Sequence, residues 1–337
     1  TQDEENNEAK LDLDQLQEFY LANQQSEYLK SLPETTVPPK ENFRLELRDY
    51  QKHGLSWMLV REKEFKVLEE LSTDKSSGEG LSTQARSTIK ENEKGIMNPL
   101  WKTYTWPADT SYRAEKLGSE VIDGISSELD SHFYANLHNG ELCLEKPLLK
   151  TLVRGGILLD AMGLGKTVAA TSLITSVPYD SNEDDENPTR GYASKTTLVV
   201  VPMSLLSQWK SEFDKANNNP DHQCLIYYGD LPQIGIYSVK FFRIIIDEGH
   251  TIRNRATRTA KAIHELLLSR KWILTGTPVI NRLDDLYSLV KFLQLEPWCN
   301  FSYWKTFITL PFEQKKFSQT LDVVKSVLEP IFLRRTK

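Results

Sequence analysis

The sequence predicts an α/β fold from residue 155 onward, a mainly parallel sheet flanked by helices. Two observations predict it. The aliphatic runs "GGILL", "TTLVVV", "FRIIID" and "KWILTG" alternate with helix-like stretches, and strands covered on both faces read as such continuous apolar runs. Each run also ends in glycine or polar residues, at the edge where open α/β sheets place ligands. An N-terminal helix and a hairpin-bearing insertion complete the expected architecture.

Taken in order, residues 1 to 10 are acidic and Asn-rich, and Leu13, Leu16 and Tyr20 then fall on one helical face, which predicts a docking helix. "PETTVPPKENF" reads as a proline-broken linker, so an N-terminal segment ends at residue 42 and a globular lobe, residues 43 to 337, starts at Phe43. Residues 72 to 95 hold almost no large apolar side chains and read as a flexible insertion. Residues 96 to 150 form a second insertion containing "MNPLWKTYTWP" and "HFYANLHNGELCLEKP". Their aromatics fit either a hairpin packed on the main domain or a platform for stacking bases. Residues 181 to 195 read as a solvated loop.

The chain has 337 residues, 39% of them hydrophobic, which is enough for a sizeable core. Its apolar runs are strand-sized and its acidic start lacks a signal peptide's pattern, so the sequence reads as soluble and intracellular. A net charge of −6 gives no overall attraction for nucleic acid, and any such surface must be local. Cys143, Cys224 and Cys299 are scattered without a CxxC pair, and read as small buried apolar residues.

Gly163, Leu164, Gly165, Lys166 and Thr167 lie between the "GILL" strand and a helix. Backbone N–H groups and a helix N-terminus favour phosphate there. Lys166 would meet the outer phosphates and Thr167 would ligate magnesium. The strict phosphate-loop pattern asks for glycine where Asp160 stands. "RIIIDEGH" places Asp247 and Glu248 at a buried strand end, where adjacent carboxylates are costly unless a cation or a reaction uses them. Asp247 would hold magnesium through water and Glu248 would take a proton from the attacking water. His250 reads as a coupling residue toward the next strand. There Thr275, Gly276 and Thr277 would hydrogen-bond the acid-pair loop or form a simple turn before Pro278. The Gln51 amide offers a paired donor and acceptor suited to adenine.

Together "LRDYQKHGLSWM", "DAMGLGKT", "VVVPMSLLSQW", "IIIDEGHTIRN", "WILTGTPVINRLDDLYSLVKFL" and "FLRRTK" resemble the first RecA-like lobe of the Swi/Snf-type ATPases of helicase superfamily two. The insertion "NPLWKTYTWP" and "FYANLHNGEL" resemble the helicase-like transcription factor branch of that family. The resemblance implies ATP and magnesium as cofactors and ATP-driven movement along double-stranded DNA at replication forks. It implies nuclear localisation, with the sliding clamp and a ubiquitin-conjugating enzyme as partners, since the branch combines translocation with ubiquitin ligation. A nucleotide-gated scaffold for ubiquitination is the other function class. The family's DNA-facing motif falls on Pro202, Met203, Ser204 and Gln208, where Ser204 also fits a helix N-cap. Arg253 and Asn254, in an arginine-rich stretch with Arg255, Arg258 and Lys261, fit either a DNA or partner contact or a solvated helix start.

Three departures from the family pattern carry expectations. Ala161 stands where the family has glutamate, which predicts weakened chemistry with phosphate binding kept. The stretch before "FRIIID" lacks one of the family's strands and its DNA contact, which predicts a sheet that is hard to fold. The family's second lobe, with its arginine fingers, and the branch's zinc-binding RING domain are not in this chain, so the lobe by itself should hydrolyse ATP poorly.

Overall fold

The computed structural model describes residues 32–72, 96–105, 132–136, 138–149, 153–177, 192–228, 234–237, 239–252, 254–276 and 283–335. The expected docking helix, most of the 72–95 insertion, and Arg253 and Thr277 lie outside the described residues. The chain divides into one unit built from Thr1–Ile89 with Leu152–Lys337, and a second, Lys90–Thr151.

The larger unit opens with α1 (Asp49–Glu62) and α2 (Phe65–Ser72). Gln51 caps α1 by accepting from the Arg48 N–H at 3.0 Å, and Lys63 ends it in a left-handed conformation. Leu55, Trp57, Met58 and Leu59 are all buried, as in a helix covered on most sides. The stretch expected as a linker is tied to these helices. Thr36 and Ser56 share a 2.7 Å hydroxyl hydrogen bond, Ser56 Oγ donates to the Pro33 carbonyl, and Leu32 and Thr36 are buried.

In the smaller unit β1 (Ile96–Met97) pairs antiparallel with β5 (Leu148–Leu149). Between them β2 (Trp101–Thr105), β3 (His132–Asn136) and β4 (Leu142–Cys143) form an antiparallel sheet. The aromatic segments thus pair as β2 and β3, and the cross-strand partners Tyr104 and Phe133 stack with ring centroids 5.4 Å apart.

The rest of the larger unit alternates strands with helices: β6 (Arg154–Asp160), α3 (Lys166–Ser176), β7 (Tyr192–Val200), α4 (Leu206–Ala216), α5 (Ile234–Tyr237), β8 (Val239–Asp247), α6 (Arg258–His264), β9 (Leu267–Thr275) and α7 (Leu283–Leu293). A helical run through Phe301–Trp304 and Leu310–Glu313, then α8 (Phe317–Leu328), leads to β10 (Phe332–Arg335). The strands form one parallel sheet in the order β10-β6-β9-β8-β7. The expected α/β fold is therefore present. Leu158, Ile245, Trp272, Leu274 and Leu333 pack into one core with Trp57, Leu59 and Leu173.

Among the described residues the five strands pair without a gap, β7 lying directly beside β8 from Tyr192↔Val239 to Val200↔Ile246. The segment around Leu225 to Tyr228 lies outside the five strands, with Leu225 85% and Tyr228 68% exposed. The cysteines, expected as core residues, are instead free and half-buried. Among the described residues no helix is long and apolar enough to cross a membrane.

At the C-terminal end of α6, burial pushes His264 down to about 4, and the charges of Lys291 and Lys271 add to it. Its Nε2 is buried without a hydrogen-bond partner among the described residues. Burial likewise lowers Lys271 to about 8. An unfolded histidine takes a proton near 6.5 that the folded site resists until about 4, so stability is lost as pH falls between these values. Lys271 acts with the same sign between 10.5 and about 8. Melting temperatures from neutral to mildly acidic pH check this: the parent should fall with acid more steeply than His264→Gln. Equal slopes would remove His264 as the cause.

Candidate nucleotide-binding and hydrolysis site

Parallel register brings the strand ends together. Asp160 of β6 lies opposite Arg335 of β10, Leu159 opposite Thr275 of β9, and Asp247 of β8 opposite Leu274. The turn after β6 runs through Gly163 (φ 84) and Gly165 (φ 78), and Gly165 is the N-cap of α3. These two left-handed residues shape the turn that opens α3, whose helix start favours an anion, and the Leu164 N–H between them donates to the Ala161 carbonyl at 3.2 Å. Only glycine takes these angles at little cost.

Lys166 donates from Nζ to the Asp160 carbonyl at 3.2 Å, folding back over the turn. A Cβ on Gly276 would lie 2.9 Å from that Nζ and 3.2 Å from Met162 Cγ, so the strand-end glycine of β9 leaves the space the lysine occupies. Thr275 beside it is buried. Thr167 follows in the first turn of α3, and its carbonyl accepts from Thr171 Oγ1.

Gln51 is buried and both ends of its amide are in use: Oε1 caps α1 and Nε2 donates to the Leu164 carbonyl at 3.2 Å. Tyr50 donates its hydroxyl to the same carbonyl at 3.2 Å. Gln51 therefore braces the phosphate loop in this structure, pressed so close that a Cβ on Gly165 would sit 2.7 Å from its Nε2.

The acid pair is held differently at each member. Asp247 is buried and accepts from Trp209 Nε1 at 2.8 Å and from the Glu248 N–H at 2.9 Å. Burial pushes its carboxyl up from the ordinary value and Glu248 adds to that, while Trp209, the Glu248 N–H and the Lys166 charge pull it down. Glu248 has φ 55, a left-handed conformation rare outside glycine and frequent where a side chain must be aimed. Its Oε2 lies 3.1 Å from His250 Nδ1. Contact with β9 comes through Gly249, where a Cβ would lie 2.4 Å from Ile273 Cγ2 and 3.8 Å from Thr275 Cβ.

Sequence reasoning missed Trp209 and Gly249. The tryptophan's signal was present in "LLSQW", since a buried indole needs an acceptor, but nothing in the sequence pointed to Asp247 as that acceptor.

The residues matching the DNA-facing motif lie beyond β7. Pro202 caps a short 3₁₀ turn, Met203–Leu205, and Met203 is 76% exposed. Ser204 is exposed inside that turn and α4 starts from Leu205 with no side-chain cap, so the N-cap role expected of Ser204 is not present. Gln208 is exposed and bonds Glu212 one turn on. Asn254 shapes the turn before α6, accepting from the Ala256 N–H and from Thr257, whose side chain caps that helix. Arg255 lies 3.8 Å over the Phe301 ring, anchored on an aromatic face.

A parallel sheet that carries a lysine-bearing glycine turn at the end of β6 and a carboxylate pair at the end of β8, with β9 between them, has the plan of a P-loop ATPase lobe. A family model described as the SNF2-related domain matches residues 50–234 and 232–337, and the chain belongs to that family. Its two matched segments overlap at residues 232–234. The chain is 56% identical over 376 residues to the DNA repair protein RAD5 of Debaryomyces hansenii, a match covering 96% of this chain and 31% of that protein. It is 46% identical to the Saccharomyces cerevisiae protein of the same name over 99% of this chain and 32% of that one. The chain thus spans about a third of the length of these relatives. Among solved structures, the Sulfolobus solfataricus SWI2/SNF2 ATPase core in complex with dsDNA is 27% identical with a TM-score of 0.38, over 54% of this chain and 40% of that one.

Proposed function

We propose that this chain is the ATP-binding half of a DNA-dependent motor that serves DNA repair. The observation that carries the reading is the convergence of Lys166, in its glycine turn, with Asp247 and Glu248 at one edge of the sheet. The family and the RAD5 relatives support the DNA-repair setting.

The donor set fits ATP with magnesium. Gly165 caps the start of α3, a helix end that favours an anion, and Lys166 brings an ammonium with three donors, one of them resting on a carbonyl. Thr167 and Asp247 supply oxygen ligands, the chemistry magnesium prefers. When bound, that cation neutralises charge on the outer phosphates. Lys166 exchanges the Asp160 carbonyl for a phosphate oxygen. Trp209 keeps Asp247 oriented, and Glu248 accepts the proton of the attacking water at a carboxylate oxygen, the His250 side of the group staying fixed. Pro202, Met203, Ser204 and Gln208 meet the duplex backbone, with Asn254 and Arg253 beyond the acid pair. Translocation on duplex DNA at stalled forks, nuclear action, and the ubiquitin-ligase half toward the sliding clamp belong to this proposal through the RAD5 resemblance alone.

The test is ATP turnover with and without duplex DNA in the complete protein. Stimulation by DNA that disappears in Lys166→Ala is expected. Equal turnover in both conditions would overturn the motor reading, and ubiquitin transfer that survives Glu248→Gln but changes in Lys166→Ala would favour a nucleotide-gated scaffold.

A further inference from the structure

Asp160, the residue standing where a phosphate loop ordinarily has glycine, is wholly buried and paired. Arg335 of β10 donates from Nε to Asp160 Oδ1 at 2.7 Å and from Nη2 to Asp160 Oδ2, a bidentate fork. Its third nitrogen, Nη1, donates to the Tyr50 carbonyl at the start of α1. The backbone adds a further link, Ala161 N–H to the Arg335 carbonyl at 3.1 Å. Gly54 makes room for the guanidinium, since a Cβ there would lie 2.5 Å from Nη1.

These contacts reach the loop from both ends. At its start Arg335 fixes Asp160 and Ala161. At its far end Tyr50 and Gln51, whose helix start Arg335 also holds, both donate to the Leu164 carbonyl. Arg335 therefore holds the turn directly at Asp160 and Ala161 and, through the start of α1, indirectly at Leu164, on the two sides of Gly163 and just before Gly165 and Lys166.

Stability alone does not account for this pair. Burying a carboxylate and a guanidinium costs desolvation that their attraction offsets only in good geometry, and an apolar pair of similar volume often serves a core equally well. A planar fork that grips a carboxylate and a carbonyl at once supplies a fixed direction instead, which a lysine cannot reproduce. We infer that Arg335 is a positioning residue for the phosphate loop: through Asp160 and Tyr50 it sets the turn in its nucleotide-accepting shape before ATP arrives. The inference rests on the reading of this turn as the ATP site.

Two variants test it, Arg335→Lys and the paired change Asp160→Asn with Arg335→Gln, which leaves no buried charge unpaired. The readouts are the dissociation constant for magnesium-ATP by calorimetric titration, the melting temperature without nucleotide, and amide hydrogen exchange across residues 161 to 165. Nucleotide affinity should fall by about tenfold or more, a loss of about 1.4 kcal/mol of binding free energy. Loop exchange should quicken, with the nucleotide-free melting temperature within a few degrees of the parent. Folded variants that bind ATP as the parent does would overturn the inference alone. A parent that binds no ATP would overturn the site reading and the inference together. Failure of both variants to fold would also overturn it, by showing that the pair serves the fold itself.

Discussion

Glu248→Gln is expected to lower DNA-stimulated ATP hydrolysis by about 10²- to 10⁴-fold, the usual contribution of a positioned general base, while leaving ATP affinity nearly unchanged. Glutamine keeps the shape of the side chain and its reach toward His250 but accepts no proton at neutral pH. The backbone prepares the carboxylate for that step. Its left-handed backbone, at φ 55, departs from the extended conformation of β8, and its own N–H, donating to Asp247 Oδ1, holds the turn. Lys166→Ala should behave differently, raising the dissociation constant, because the ammonium meets phosphate in the ground state as well as the transition state. Single-turnover hydrolysis together with nucleotide titration separates the two effects. Undiminished turnover in Glu248→Gln would exclude it as the base, and a large loss of affinity there would move its role from proton transfer to binding.

The sheet was legible in the sequence because strands covered on both faces must be apolar along their whole length, as "GILL" and "RIIID" are. The glycine turn was legible for a related reason: φ angles of 84 and 78 demand glycine, and glycine between a strand and a helix is visible in one dimension. What the sequence hid is partnership between distant residues. Asp160 read as a departure from the phosphate-loop pattern, and its reason lies in Arg335, 175 residues away. Gln51 read as an adenine contact, and the sequence did not announce that α1 delivers its amide to Leu164. Arg255 read as part of a charged run, either a DNA or partner contact or a solvated helix start, and the chain places it over Phe301. Charge and periodicity describe a residue's own face, and only the tertiary fold chooses what covers it.

The second large effect concerns Glu62, where α1 ends and whose role nothing in its sequence neighbourhood announces. Its carboxylate is wholly buried and accepts from Arg243 Nε and Nη2, both at 2.6 Å, and from Trp272 Nε1 at 2.7 Å, with Arg270 Nε at 3.3 Å. Arg243 and Arg270 are register partners on β8 and β9, so two like charges face each other inside the sheet and this one carboxylate lies between them. Glu64 adds a second carboxylate, but to Arg270 alone. Glu62→Ala would leave Arg243 with the Thr197 hydroxyl and no carboxylate among these contacts, and Trp272 without its acceptor. Breaking a buried pair from one side costs about 3–5 kcal/mol, because the remaining charge stays desolvated. Denaturant unfolding should show a midpoint lowered accordingly with an unchanged slope. The compensated variant is the sharper measurement. Changing Glu62, Arg243 and Arg270 together to methionine removes the three wholly buried charges, leaving the partly exposed Glu64 to water, and should recover much of the loss despite the unpaired indole. Recovery would assign the cost to unpaired charge; a triple variant as unstable as Glu62→Ala would assign it to packing, and an unchanged midpoint in Glu62→Ala would refute the role given to this carboxylate.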